Sequence, residues 1–141
     1  MSFLAGCNTP TIFPNSDPNL RKTSTQFAAE AAKHHPYKAD APRAGEAAGR
    51  AEVDYNLGQV RLVNLSDTDW HDMELWVNQK YEVTVPYVAK TNPGKPTFEL
   101  LVFRLLFDDK GNHFPTYGAH VDKVEIYRDG KMYDVPLRLA D

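Results

Sequence analysis

The sequence has one cysteine, no apolar run long enough to cross a membrane and no excess of basic charge. A single thiol excludes an intrachain disulfide. With five scattered histidines it makes none of the Cys-x-x-Cys or Cys/His spacings that hold structural zinc. A membrane-spanning helix needs about 20 consecutive apolar residues, so attachment to a bilayer would have to run through a lipid or a partner. The formal net charge of −3 provides no global field to draw in nucleic acid. No nucleophile stands in a recognisable elbow, and His113 and His120 sit in loop-like segments without a supporting motif. The chain therefore reads as non-catalytic and implies no cofactor.

Large aliphatic residues are also scarce, but only in the first third. Half of the ten prolines fall between Pro10 and Pro42, and nine alanines crowd Ala28 to Ala48. Residues 8–50 carry six Lys/Arg against four Asp/Glu, or +2, whereas residues 51–141 carry ten against fifteen, or −5. A segment of this kind buries too little apolar surface to offset its chain entropy. Residues 8–50 are expected to be a mostly disordered Pro/Ala-rich linker. Its one helical signal is a short helix over 24–35, with Thr23 and Gln26 placed as a capping box and Pro36 as a stop. Phe27 lies on the apolar face of that helix and is a candidate contact for a partner.

From Glu52 onward the pattern has period two, the signature of strands. Met73, Leu75 and Val77 alternate with Glu74, Trp76 and Asn78; Tyr81, Val83, Val85 and Tyr87 follow after a short turn. "TFELLVFRLLF" is apolar in both phases, which predicts a strand covered on both faces or buried centrally. In "KVEIYRDGKMYDVPLRL", Asp129-Gly130 is a preferred two-residue hairpin turn. That loop sets Ile126 opposite Tyr133 and Val124 opposite Val135. It also sets Glu125 opposite Asp134, a like-charge pair expected to be exposed, and Pro136 is expected to mark an edge. Six or seven strands over residues 51–141, with no helix between them, predict an all-β antiparallel sandwich.

"SDTDWHD" gathers Asp67, Asp69, His71 and Asp72, weak candidates for a metal because the loop lacks the glycine and distal glutamate of a calcium-binding hand. Asp and Ser dominate ordinary turns, so a solvated turn without metal is expected. Trp70, Trp76 and Tyr81 are candidates for ligand or partner contact; a cross-strand packing cluster is the commoner use of such aromatics. Trp76, out of phase with Met73, Leu75 and Val77, is the one expected to be exposed.

The stretch "LVNLSDTDWHDMELWVNQKYEVTVP" resembles a family of uncharacterised bacterial modules, planctomycete-type and often on small lipoproteins. The shared pattern is Asn64, Ser66, Asp67, Trp70, Asp72, Val77, Asn78 and Tyr81, with "FDDKGNHF" and "DGKMYDVP" following. The resemblance implies an Ig-like sandwich and a cell-envelope location, and it carries no catalytic residues. Leu4-Ala5-Gly6-Cys7 reads as the end of a lipoprotein signal over residues 1–7, with Cys7 the lipidated residue if the true start lies upstream; the printed start would leave the protein cytoplasmic. The expected function is a lipoprotein-like binding or scaffolding protein with a protein partner in the envelope, reaching the membrane through a lipid anchor and binding no nucleic acid. Two alternatives stand beside it: an accessory subunit whose N-terminal tail orders along a larger complex, and a carbohydrate-binding module.

Overall fold

Alternation of apolar and polar side chains over Trp70–Val77 and Tyr81–Val88 folds these residues into adjacent antiparallel strands, joined through Asn78 and Gln79, both at φ 56°. Asn tolerates this left-handed conformation better than most residues. Its side chain also ties down a neighbouring loop: Asn78 Oδ1 accepts the N–H of Asp122 at 2.7 Å and of Lys123 at 3.1 Å, and Nδ2 donates to the His120 carbonyl at 2.8 Å.

The computed structural model describes residues 36–92 and 94–140. The helix expected over 24–35, with Phe27, and the Cys7 segment lie outside them. Nine strands are described: β1 Arg43–Glu46, β2 Gly49–Asp54, β3 Gln59–Asn64, β4 Trp70–Val77, β5 Tyr81–Val88, β6 Thr97–Val102, β7 Val124–Arg128, β8 Lys131–Val135 and β9 Leu137–Leu139. They form two sheets, ordered β1-β8-β7-β4-β5 and β6-β3-β2-β9. Most neighbouring strands are antiparallel, and the two sheets form a β-sandwich.

The inward rows of both sheets make one core, in which Leu62, Trp70, Met73, Leu75 and Ile126 are fully buried. Phe103, on a 3-10 turn after β6, stacks edge-on against Phe114 with ring centroids 4.9 Å apart, and Phe114 against Tyr81 at 5.1 Å. Each such side chain contributes about 1.5–3 kcal/mol by leaving water. Gly49 lets the core close. A Cβ there would stand 2.5 Å from both the Trp70 ring and the Val63 carbonyl oxygen.

The Asp129-Gly130 hairpin has the expected register, with Ile126 opposite Tyr133 and Val124 opposite Val135, and both turn residues have positive φ. Three expectations are corrected. The folded unit begins before residue 51, because β1 runs parallel to β8 and the first residues of β2 pair with β3, so residues 43–50 are not linker. β6 is an edge strand rather than a central one, its apolar run breaking into the 3-10 turn at Phe103. The last strand lies at an edge, as Pro136 suggests: Pro136 passes the chain from β8 to the other sheet, where β9 is the edge. Glu125 is buried rather than exposed, and what neutralises it is a feature of the site below.

Candidate functional site

Trp76 points away from the core, as its phase requires, yet it is only 1% exposed. Tyr37 and Lys38 lie over it. Tyr37 meets the indole edge-on at 5.3 Å between centroids, and Lys38 Nζ stands 5.8 Å from the indole and 4.8 Å from the Tyr127 ring. The expectation of an exposed Trp76 fails because the sheet's outer face is covered by the segment that precedes β1.

Around this indole the adjacent strands β4, β5 and β7 place Glu74, Glu82 and Glu125. The Glu125 carboxylate, itself buried, accepts the Tyr37 hydroxyl at 2.9 and 3.1 Å and the Arg43 guanidinium at 2.9 Å. Its cross-strand neighbour Asp134 turns to Lys123 at 3.6 Å, so the like-charge pair is split between two cations. Glu74 accepts Lys38 at 2.8 Å and the Trp76 indole N–H at 3.1 Å. Glu82 is the exception: it is 1% exposed and accepts the Thr84 hydroxyl at 3.2 Å. Burial, reinforced by the Glu74 charge, pushes its carboxyl up to about 7 against the pull of Thr84 and Lys38. A carboxyl of that kind titrates near neutrality, but no solute reaches it while the face stays closed.

Trp70 is fully buried in the core, and its indole Nε1 has no hydrogen-bond partner among the described residues. Tyr81 is half-buried against Phe114 and beneath Lys80. The three aromatics therefore do not form a platform: one is core, one is roofed over and one packs on a loop. Asp67, Asp69 and Asp72 do not converge either. Asp69 accepts the Lys90 backbone N–H at 2.8 Å, and Asp72 adopts φ 52° within β4. Among the described residues no group of three His, Cys, Asp or Glu side chains is placed to hold a metal ion.

Among the described residues no segment covers the outer face of the second sheet, where Phe98 and Leu100 are exposed. At its centre Glu52 on β2 is gripped by three arginines: Arg50 Nε, Arg61 Nη1 at 3.1 Å and Arg138 Nη2 at 3.0 Å. Burial alone would raise the Glu52 carboxyl, but Arg50, Arg138 and Arg61 outweigh it and hold it below the ordinary range. Three guanidinium groups against one carboxylate leave the patch at +2 on a chain whose net charge is −3. Beside it β6 presents Phe98, 49% exposed, and Leu100, 46% exposed. Arg61 lies 4.9 Å over the Phe98 ring, and its buried Nε has no partner among the described residues.

This patch was not singled out in the sequence. Its members are spread over 89 positions, Arg50 to Arg138, and the β2–β3, β3–β6 and β2–β9 pairings bring them together. The available signal was weak: outward positions of "GRAEVD" and "QVRLVN" carry Arg, Glu and Arg at strand period.

In comparisons with known proteins, no family model matches the chain, and no curated protein or solved structure is significantly similar to it. The geometry is left to speak for the function.

Proposed function

We propose that this chain is a non-catalytic binding or scaffolding module of the bacterial cell envelope that engages a protein partner. The observation that carries the reading is the face built from Arg50, Arg61, Arg138, Phe98 and Leu100. It combines exposed apolar side chains with arginines, the composition enriched where proteins meet. The rest of the sandwich supports the same division of labour. Its buried carboxylates are sealed or salt-bridged rather than open to a substrate. Cys7, within Leu4-Ala5-Gly6-Cys7, supplies the anchor in this reading.

The face is tested by site-specific photocrosslinking in the native host, with a benzoylphenylalanine probe at position 98 and a control probe at exposed Asp72. The expected result is a discrete protein adduct from position 98 alone. Absence of any adduct, or the same adducts from both positions, removes the reading. Palmitate labelling of the protein expressed with its upstream sequence tests the anchor separately; label that survives Cys7→Ala would overturn it.

A further inference from the structure

The free edge of β6 has a chemistry of its own. The Phe103 N–H donates to the Gly58 carbonyl at 2.8 Å, so at Phe103 the backbone faces β3. In an antiparallel ladder this direction alternates residue by residue. Residues 97, 99 and 101 therefore bond to β3, and the N–H and C=O groups of Phe98, Leu100 and Val102 point away from it. β6 ends its sheet, and no described strand pairs with that edge. The same three residues carry their side chains on the arginine face, because Phe98 stands opposite Val63, Leu100 opposite Arg61 and Val102 opposite Gln59.

An unpaired edge and apolar side chains thus coincide on β6, and Arg61 stands beside them on the adjacent strand β3. Each arginine reaches Glu52 through a single nitrogen, and a guanidinium has five N–H donors. Arg61 also holds an unpartnered Nε beside Phe98. We infer that the partner presents an extended acidic segment, which adds as a further strand to β6 and directs an Asp or Glu side chain toward Arg61. This rests on the binding-module reading above and names the partner's chemistry. A polypeptide is favoured over other anions because only a second backbone satisfies a row of alternating N–H and C=O groups.

The test uses the full chain and a capped peptide of alternating Glu and Thr, read by amide hydrogen exchange and by fluorescence anisotropy. In the free protein the amides of residues 98, 100 and 102 exchange fast and those of residues 99 and 101 slowly. Saturating peptide is expected to slow the first set and leave the second unchanged. Affinity is expected to fall at least about tenfold with the Lys–Thr peptide, with a peptide N-methylated at alternate bonds, and in Arg61→Gln, whereas Arg138→Gln, at the opposite edge of the sheet, is expected to leave it unchanged. Unchanged exchange elsewhere in the sandwich shows that these variants remain folded. The inference is overturned if the peptide does not bind, if amides 98, 100 and 102 are already protected in the free chain, or if N-methylation has no effect. Equal displacement of the peptide by a single-stranded oligonucleotide also overturns it, in favour of a general anion site. A position-98 crosslink without peptide protection removes only this inference; loss of the crosslink removes the binding face as well.

Discussion

Tyr37 closes over Trp76, with ring centroids 5.3 Å apart and planes at 80°, and from the same position its hydroxyl donates to both oxygens of Glu125. One side chain from outside the strand pattern thus buries an indole and satisfies a buried carboxylate. Tyr37→Ala is expected to raise acrylamide quenching of Trp76 and to lower stability by about 1–3 kcal/mol, the combined scale of an aromatic contact and hydrogen bonds to a charged group. Tyr37→Phe is expected to keep Trp76 shielded while losing the Glu125 bonds. Denaturant midpoints and quenching constants for the two variants separate these contributions.

Glu82 makes stability depend on pH in a direction opposite to that of most carboxylates. Its carboxyl has an ordinary value of 4.5 and rises to about 7 in the fold, so between these limits the folded state binds more protons than the unfolded one. The Glu82 contribution therefore falls as pH rises from about 4.5 through 7 and levels off above. Glu82→Gln is expected to be more stable than the parent at pH 8, by up to about 3 kcal/mol, and close to it at pH 4.5. Chemical denaturation at the two pH values checks this; an equal effect at both would remove the assigned cause.

Glu52 has the opposite sign. Its arginines hold the folded carboxyl below the ordinary value of 4.5. The stabilisation is thus present above that value and is lost as pH falls through the folded one. Glu52→Gln is expected to cost about 1–3 kcal/mol at pH 7, the scale of hydrogen bonds to a charged group, and progressively less as the solution is acidified.

Gly49 is required by contact rather than by backbone angle. Because the Val63 carbonyl belongs to the paired strand β3, it cannot swing aside as a flexible side chain would. Gly49→Ala is expected to destabilise by about 1–3 kcal/mol or more through overpacking. Gly130→Ala is expected to destabilise too, but by strain at φ 76° with open space around it. Near-ultraviolet circular dichroism distinguishes them, since only the Gly49 change displaces the Trp70 ring.

Short-range features were legible. The Asp129-Gly130 turn and the alternation around it specified the β7–β8 register, and Met73 to Val85 specified the β4–β5 hairpin, because turn chemistry and period-two burial are properties of neighbouring residues. The same local rules misplaced "TFELLVFRLLF": a doubly apolar run fits a central strand as well as an edge strand followed by a packed 3-10 turn, and Phe103 buries itself in the second way. They also misread Trp76, whose phase correctly placed it outside the core but carried no information on what lies above it.

By itself, then, the sequence determined an all-β sandwich held by burial rather than disulfides, with the registers of its hairpins. Only the tertiary structure decided that one outer face is covered and that, among the described residues, no segment covers the other. Tyr37 and Lys38 reach Trp76 across some 40 positions, and Arg50, Arg61 and Arg138 converge on Glu52 from three strands. Periodicity records which side of a strand a residue occupies, but coverage and convergence depend on contacts between segments far apart in the chain.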